Sequence, residues 1–302
     1  PGGHLRVTAE DGLHRTMLPA DGADPAIEIL STGLAPDFLF LHGSCGRAGF
    51  WAPLMREFAA RGVHTAALSY RGHGESGGRK LLQSYRIMDY LRDVERVLHA
   101  MPGKPMLVGH SLGGYLSLLA ACRRPGLARG VVLLDSPVVA GWRAHGVQVA
   151  KATGLIKRVS PGRVSRARRH HWPDAEAALA HFAAKSVFAR WEPEVLRDYI
   201  RAGTEPDPDQ GGVRLRFDRA VETRIYNTLP HHFSSLLRRR PPACPVHYIG
   251  GTRSAEGRQV GMAMTRAVTH GRISWMEGTH LFPMERPDDT AAAVLAAIAS
   301  WV

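Results

Sequence analysis

The stretch Gly109-His110-Ser111-Leu112-Gly113 constrains this chain more than any other, because its serine lies on a turn between a predicted strand and a predicted helix. Residues 106–108 form an apolar run typical of a buried strand, and residues 115–122 have the composition of a helix. A serine on such a turn adopts a strained backbone conformation, and the flanking glycines let strand and helix approach closely. The pattern therefore predicts a nucleophilic serine at position 111. The alternative is a turn serine that only caps the helix.

Length and composition limit the class of protein. The chain has 302 residues and an apolar content of 44%, enough for one large α/β domain with an insertion or for two ordinary domains. Its three cysteines, Cys45, Cys122 and Cys244, are an odd number without metal-ligand spacing, which predicts free thiols in a reducing compartment. No apolar run reaches the roughly 18 residues of a membrane span, and the first residues lack the apolar core of a signal peptide. We therefore predict a cytoplasmic protein without a transmembrane segment.

The formal net charge of +12 is concentrated in the middle of the chain. Residues 141–240 hold 19 lysines and arginines against 10 acidic residues. The densest part contains Arg163, Arg166, Arg168 and Arg169. A solvated helix face is the favoured interpretation. An electrostatic funnel for anionic substrates and a surface that binds polyanions are the alternatives, and we expect no nucleic-acid partner.

Residues 36–137 alternate between predicted strands and helices. The strands are expected at 38–41, 64–68, 106–108 and 131–134, and the helices at 51–61, 84–101 and 115–122. The alternation resumes with strands at 246–249 and 273–276 and helices at 260–269 and 289–301. This order predicts a mostly parallel, doubly wound sheet that is buried on both faces and binds ligands at its carboxyl edge.

The alternation stops between these two regions. Helical patterns, prolines and basic clusters fill residues 138–239, and residues 205–212 are predicted to form a surface loop. We therefore predict a core domain of residues 1–137 and 240–302 and an inserted helical cap of residues 138–239. The aromatic residues of the cap are expected to form its own core, with the lining of an acyl pocket as the alternative: Trp142, Phe182, Phe188, Trp191, Tyr199 and Tyr226.

A serine hydroxyl needs a base within hydrogen-bond reach. His280 follows the predicted strand at 273–276, at the same sheet edge as Ser111, and is the candidate general base. The alternative is a histidine that only satisfies the backbone of its loop. Two carboxylates could orient the imidazole. Asp135 ends the predicted strand at 131–134 and is preferred to Glu256, which lies on the loop after the predicted strand at 246–249.

Two backbone N–H groups are needed to hold the oxyanion of an acyl-transfer intermediate. Leu112, directly after the serine, should supply one of them, and Ser44, on the loop that begins at His42-Gly43, should supply the other. His42 itself is interpreted as a structural histidine that holds this loop, with a second base as the alternative.

Four stretches together resemble the α/β-hydrolase fold superfamily over residues 36–137 and 240–302. They are Leu41-His42-Gly43, Arg71-Gly72-His73-Gly74-Glu75-Ser76, Gly109-His110-Ser111-Leu112-Gly113-Gly114 and Gly278-Thr279-His280-Leu281-Phe282-Pro283-Met284-Glu285-Arg286-Pro287. The resemblance implies the α/β-hydrolase fold, with Ser111 as nucleophile, His280 as base, and Ser44 with Leu112 as the oxyanion hole. His280 follows the serine in chain order, as in other members of this superfamily. The second stretch, from Arg71 to Ser76, is similar to esterases and lysophospholipase-like members.

The chain departs from this family pattern in two places. Ser69 stands where an aspartate commonly precedes the glycine-rich turn, and no aspartate follows Gly251, where the family often has its acid. The second departure leaves the acid open between Asp135 and Glu256. A minority of the superfamily has the acid after the strand that Asp135 ends.

These observations predict a cofactor-independent serine hydrolase that cleaves a carboxylic ester or thioester of a small-molecule substrate. No zinc, nucleotide or flavin motif is found in the sequence. The resemblance leaves other chemistries open, namely C–C bond hydrolysis, acyl transfer and perhydrolysis, and a ligand receptor of low turnover is a further alternative. A serine nucleophile disfavours dehalogenation and epoxide opening, for which related proteins use an aspartate.

Overall fold

The computed structural model describes residues 8–10, 12–44, 46–77, 86–138, 169–216 and 233–301. Within these ranges one large sheet has nine strands: β1 (Thr8–Glu10), β2 (Leu13–Leu18), β3 (Ile27–Ser31), β4 (Phe38–Leu41), β5 (Thr65–Leu68), β6 (Met106–His110), β7 (Gly130–Leu134), β11 (Val246–Gly251) and β12 (Ile273–Met276). A second, small sheet contains β8 (His171–Trp172), β9 (Thr204–Pro206) and β10 (Val213–Leu215).

The helices of the described residues follow the strands along the chain. They are α1 (Ala52–Ala60), α2 (Ile87–Ala100), α3 (Leu112–Arg123), α4 (Ala175–Ala183), α5 (Pro193–Gly203), α6 (Phe233–Arg239), α7 (Glu256–Val260), α8 (Ala263–Thr269), α9 (Phe282–Glu285) and α10 (Pro287–Ala299). A 3₁₀ turn, Ala48–Trp51, precedes α1.

The large sheet has the order β1-β2-β3-β5-β4-β6-β7-β11-β12. In this order, every neighbouring pair from β5 onward is parallel. Strands β1, β2 and β3 extend the sheet at the other end through antiparallel pairs, the last of them between β3 and β5. Because the parallel strands share one direction, β4, β6, β7, β11 and β12 all end at the same edge. The loops that carry the candidate site residues leave the sheet at this edge, as expected for a doubly wound sheet.

Both faces of the sheet are covered, which explains why β4 to β7 read as continuous apolar runs. One face packs against α2 and α3 through Leu39, Leu107 and Val131. The opposite face packs against α1 and α10 through the neighbouring residues Phe40, Val108 and Val132. Neighbouring residues of a strand thus enter different cores, as the two-residue period of a strand requires.

The fold agrees with the α/β-hydrolase architecture predicted from the sequence, with two local corrections. The predicted helix at 51–61 begins with the 3₁₀ turn, so that Trp51 precedes α1. The predicted helix at 260–269 is two helices, α7 and α8, because Gly261 has a φ of 79° and ends the first of them. Strands β1 to β3 were not predicted at all.

The segment between β7 and β11 holds more than helices. Its described part contains α4, α5 and α6 together with the three-stranded sheet, which the helical prediction missed. The prediction of a surface loop at 205–212 is wrong for its first residues: Thr204–Pro206 is β9, which pairs with β10, and Asp207 is buried. The turn closes locally, because Asp207 N–H donates to Gly212 O (3.0 Å) and Gly211 N–H donates to Asp207 O (3.0 Å).

Two further sequence predictions concern thiols and membranes. Cys122 and Cys244 are both unpaired, whereas Cys45 lies outside the described residues. None of the helices within the described ranges has the length and apolar character to cross a bilayer. The compartment inferred from the thiols stays a prediction.

Candidate active site

Ser111 lies between β6 and α3 with a backbone conformation that only few non-glycine residues adopt. Its φ and ψ are 53° and −117°, a conformation that costs about 1–3 kcal/mol and persists where the surrounding structure enforces it. Here its N–H donates to Leu134 O (3.3 Å), and its carbonyl oxygen accepts from Ser136 Oγ (2.7 Å). The side chain makes no capping hydrogen bond to α3. The contacts of Ser111 therefore do not support the alternative of a serine that only caps the helix.

Two glycines permit this turn. A methyl group at Gly109 would collide with the carbonyl oxygen of Gly113, and one at Gly113 would collide with the carbonyl oxygen of Leu41. The start of α3 thus lies directly against β4 and β6. Backbone atoms cannot make room for a methyl group unless the strand or the helix moves. Such a movement would also displace Ser111.

We expect Gly113→Ala to lower the free energy of unfolding by about 3 kcal/mol, because the added methyl group overpacks a contact between two backbones. The measurement is urea unfolding followed by circular dichroism. Gly203→Ala is the matched control: a methyl group at Gly203 meets nothing within 4 Å, and it should leave stability unchanged or raise it slightly. Equal stabilities of the two variants would contradict the close approach.

His280 and Asp135 meet at the carboxyl edge of the sheet, although 145 residues separate them. His280 Nδ1 lies 2.7 Å from Asp135 Oδ2. The Asp135 side chain is completely buried, whereas that of His280 is 31% exposed. The imidazole is thus held from the protein side and keeps an open side toward solvent.

The loop after β11 supports Asp135. Gly251 N–H donates to Asp135 Oδ1 (3.0 Å), Ser254 Oγ donates to Oδ2 (2.5 Å), and Tyr248 Oη donates to Oδ1 (3.3 Å). Burial by itself raises the pKa of Asp135, but the hydrogen bonds from His280, Ser254 and Gly251 outweigh it, so that the pKa lies below its ordinary value of 3.8. An ionised carboxylate can only accept hydrogen bonds, so Nδ1 of His280 carries the hydrogen of this pair. Nε2 is then the ring nitrogen that is left to accept a proton.

His110 links the serine turn to the His280 loop, a role that the sequence did not suggest. Its Nε2–H donates to the carbonyl oxygen of His280 (2.7 Å), and the two rings lie 4.7 Å apart. Burial, and then the neighbouring His280, lower the pKa of His110 to about 3, so the ring is neutral. Only its position next to Ser111 could have pointed to this residue in the sequence.

The loop after β4 lies against the serine. A methyl group at Gly43 would come within 3.6 Å of Ser111 Cβ, and the next residue, Ser44, is buried. On the other side, Leu112 is the first residue of α3, where the N–H groups have no acceptor within the helix. The structure thus brings both predicted oxyanion segments to Ser111. That their N–H groups bind an oxyanion stays a prediction.

The profile of the alpha/beta hydrolase family matches residues 38–293, which is most of the chain. The chain belongs to the alpha/beta hydrolase family. The matched region includes Ser111, Asp135 and His280.

Individual relatives of this alpha/beta hydrolase match over shorter regions. A 2-(acetamidomethylene)succinate hydrolase of Mesorhizobium japonicum is 36% identical over 192 residues, 62% of this chain and 61% of the relative. Human monoglyceride lipase is 32% identical over 135 residues, 43% of this chain and 45% of the lipase. The chain therefore matches less than two thirds of the length of either relative. The crystal structure of an E-2-(acetamidomethylene)succinate hydrolase superposes with a TM-score of 0.74 and 24% identity, covering 95% of this chain and all of that one.

His42 of this alpha/beta hydrolase holds the loop after β4. Tyr70 N–H donates to His42 Nε2 (3.3 Å), which leaves the hydrogen on Nδ1, and Nδ1–H donates to Gly43 O (2.6 Å). Burial, followed by the neighbouring His73, holds the pKa of His42 well below its ordinary value of 6.5. Because both nitrogens are occupied by backbone groups, the contacts favour the structural interpretation over that of a second base.

Glu256, the alternative acid, begins α7. Its side chain is half-buried, and its N–H donates to Ser254 Oγ (3.2 Å). Among the residues that the structure describes, His280 Nδ1 is hydrogen-bonded to Asp135, and the loop before Glu256 donates hydrogen bonds to that same carboxylate. In this family member, the loop after β11 thus supports a carboxylate from β7.

The described aromatic residues of the insertion pack mainly on one another. Phe182, Phe188, Trp191 and Tyr199 have ring centroids 4.8–5.7 Å apart, and Phe50, from the 3₁₀ turn, contacts Trp191 (5.7 Å) and Tyr199 (6.1 Å). This is the insertion core that the sequence favoured. Other residues singled out in the sequence lie outside the described ranges: Trp142, Arg163, Arg166, Arg168 and Tyr226.

Proposed function

We propose that this chain is a cofactor-independent serine hydrolase that cleaves a carboxylic ester or thioester through an acyl-enzyme on Ser111. The observation that carries the proposal is the hydrogen bond from His280 Nδ1 to the buried Asp135, at the sheet edge where Ser111 has its strained conformation. An imidazole oriented in this way leaves Nε2 as a base, and a serine on such a turn presents its hydroxyl group to substrate.

The proposed reaction has two halves. Nε2 of His280 takes the proton of Ser111 Oγ while this oxygen attacks the acyl carbon, and the N–H groups of Ser44 and Leu112 stabilise the negative oxygen of the tetrahedral intermediate. The protonated imidazole then gives its proton to the departing alcohol or thiol. In the second half, His280 activates a water molecule that attacks the acyl-enzyme, and the carboxylic acid leaves as Ser111 regains its proton.

We also propose that residues 138–239 form a cap over this site, as the sequence suggested. The contacts of Phe50 with Trp191 and Tyr199 support the cap, because they join the loop after β4 to the insertion. So does Glu192 N–H, which donates to Met284 O (3.4 Å) near the His280 loop. A cap in this place would shield the acyl-enzyme from bulk water.

The relatives suggest which bonds to test. One is named a monoglyceride lipase and the other a hydrolase of an acetamido compound. Because the match covers only part of each relative, their names do not fix the substrate of this chain, which needs a direct test. A panel of a short 4-nitrophenyl ester, a thioester, an acetamide and a β-diketone covers the hydrolytic alternatives, and added alcohols or hydrogen peroxide cover acyl transfer and perhydrolysis.

We expect a fluorophosphonate probe to label Ser111, as located by peptide mass spectrometry, and to abolish turnover of the 4-nitrophenyl ester in proportion to labelling. Labelling without measurable turnover of any panel member would favour the ligand receptor. Turnover that survives complete labelling would place the nucleophile elsewhere. Cleavage of the β-diketone alone would identify the chain as a hydrolase of C–C bonds.

A further inference from the structure

A cavity of about 280 Å³ lies between the insertion and the core, near the loop after β4. The core contributes residues from β2, β3, the 3₁₀ turn and α1, and the insertion contributes residues from α5 and from the end of β10. Five arginines line the cavity: Arg15, Arg47, Arg56, Arg201 and Arg216. Cavities of this size take small ligands.

Three carboxylates on the cavity wall form ion pairs with four of these arginines. The ion pairs are Arg15 with Glu28 (3.1 Å), Arg56 and Arg201 with Asp198 (3.1 and 2.6 Å), and Arg216 with Glu75. Five guanidinium groups thus face three carboxylates, which leaves a surplus of two positive charges along the cavity wall. Such a surplus attracts an anion.

Arg47 differs from the other four arginines of the cavity wall. Among the residues that the structure describes, its guanidinium group makes no ion pair or hydrogen bond, although the side chain is half-buried. Burial is the main reason that the pKa of Arg47 falls to about 10, and Arg216 and Arg15 lower it further against the opposing effect of Glu28 and Glu75. A partly desolvated cation is costly unless a negative group pairs with it.

The position of Arg47 connects this cavity with the candidate active site. Arg47 follows Ser44 by three residues on the same loop, a distance of at most about 10 Å along an extended chain. A smaller cavity of about 30 Å³ also contacts Arg47 and Arg216, and His73 borders it. His73 Nε2 lies 3.0 Å from the carbonyl oxygen of Ser44. The loop that carries Ser44 beside Ser111 thus also carries Arg47 to the wall of both cavities.

We infer that this cavity is a subsite for a carboxylate group of the substrate, bound by Arg47 and flanked by Arg216. The inference rests on the proposed function, since it assigns the far end of the acyl group. A guanidinium group offers two parallel N–H donors that match the two oxygens of a carboxylate. The insertion then contributes to substrate choice through Arg216, which is paired with Glu75 and keeps the anionic end between insertion and core.

The kinetic test compares matched substrates. Mono-4-nitrophenyl esters of succinate, glutarate and adipate carry a free carboxylate, and neutral partners replace this carboxylate with an isopropyl group. We expect the anionic ester of the best length to exceed its neutral partner in kcat/KM by at least about 10-fold, the scale of one charge-assisted hydrogen-bonded pair. Arg47→Met should remove this preference through KM and leave the neutral ester unchanged, whereas Arg47→Lys should retain part of it.

Arg197→Met is the matched control, because Arg197 is an exposed arginine of α5 that pairs with Glu194 away from the cavity. It should preserve the preference for the anionic ester. If Arg47→Met lowers kcat/KM equally for the anionic and the neutral ester, Arg47 supports the structure of its loop and does not bind substrate. That result would overturn the inference. So would an unchanged preference.

Binding separates this inference from the proposed function. Calorimetry with glutarate and the intact chain should show binding that weakens about 10-fold or more in Arg47→Met and also weakens as salt rises. If neither ester is hydrolysed but glutarate binding depends on Arg47, the hydrolase proposal fails and the anion subsite stands. If esters are hydrolysed while glutarate binds equally to both proteins, or to neither, the subsite fails alone. Thermal unfolding of Arg47→Met confirms that the variant is folded.

Discussion

Ser111→Ala is expected to lower kcat for the best ester of the panel by about 10⁴-fold or more, because the acyl-enzyme can no longer form. The variant should unfold at the same urea concentration as the parent protein. Alanine keeps the Cβ of serine, so the positive φ of 53° is neither relieved nor worsened, and the lost hydroxyl group caps nothing in α3. Steady-state release of 4-nitrophenolate measures the first effect, and urea unfolding measures the second.

The matched control is Ser300→Ala, since Ser300 is an exposed serine just after α10 and far along the chain from the elbow. It should retain full activity and should leave Ser111 labelled by the fluorophosphonate. Substantial activity in purified Ser111→Ala would exclude the acyl-enzyme mechanism, because no other group is proposed to form the covalent intermediate.

The second large effect concerns the acid. Asp135→Asn should reduce kcat by about 10⁴-fold, whereas Glu256→Gln should change it less than about two-fold. An amide in place of the carboxylate removes the negative charge beside His280, and its NH₂ group favours the tautomer that has the hydrogen on Nε2. The imidazole then cannot take the proton of Ser111. Within the described part of the chain, Glu256 contacts the loop that supports Asp135 through its backbone N–H, which donates to Ser254 Oγ.

Both variants are measured for kcat and for urea unfolding, so that a loss of folded protein is not mistaken for a loss of chemistry. Asp135→Asn is also expected to be less stable near pH 7. Because the pKa of Asp135 is below its ordinary 3.8 in the folded state, the stabilisation by the carboxylate is fully present above that value and is lost as the pH falls further. The difference in stability should therefore shrink below about pH 4. A larger activity loss in Glu256→Gln would transfer the role to Glu256.

The central strands were predictable because they are buried on both faces. Runs such as Phe38–Leu41 and Gly130–Leu134 contain enough apolar residues to be recognised, and their ends bring the site loops to one edge of the sheet. The order of these runs with the intervening helices was enough to predict that Ser111, Asp135 and His280 lie at one edge of the sheet. This part of the fold follows from local composition and from the handedness of parallel connections.

Other elements depend on partners far away in the chain. Strand β3 is paired with β5, whose residues come more than 30 positions later, and β2 (LHRTML) is largely half-buried with little apolar alternation. Local sequence therefore could not identify these strands. The short strands β8, β9 and β10 are stable only as a set, and Glu205-Pro206 has the composition of a loop.

The site shows the same limit. Spacing suggested that Asp135 would emerge near His280, but it could not show that Ser254 and Gly251 donate to this carboxylate. Those donors explain physically why the loop after β11 lacks an aspartate of its own: it stabilises the charge of another residue. The role of His110 was missed for a similar reason, since its acceptor lies 170 residues away.

The hydrogen bond from His110 to the His280 carbonyl oxygen has a consequence for how the enzyme would fail on heating. His110 comes directly before Ser111 and holds the backbone of His280, so we expect thermal fluctuations of the last strands to displace the Ser111 and His280 side chains together instead of separating them. Inactivation and global melting should therefore coincide in temperature, without an earlier inactive but folded phase.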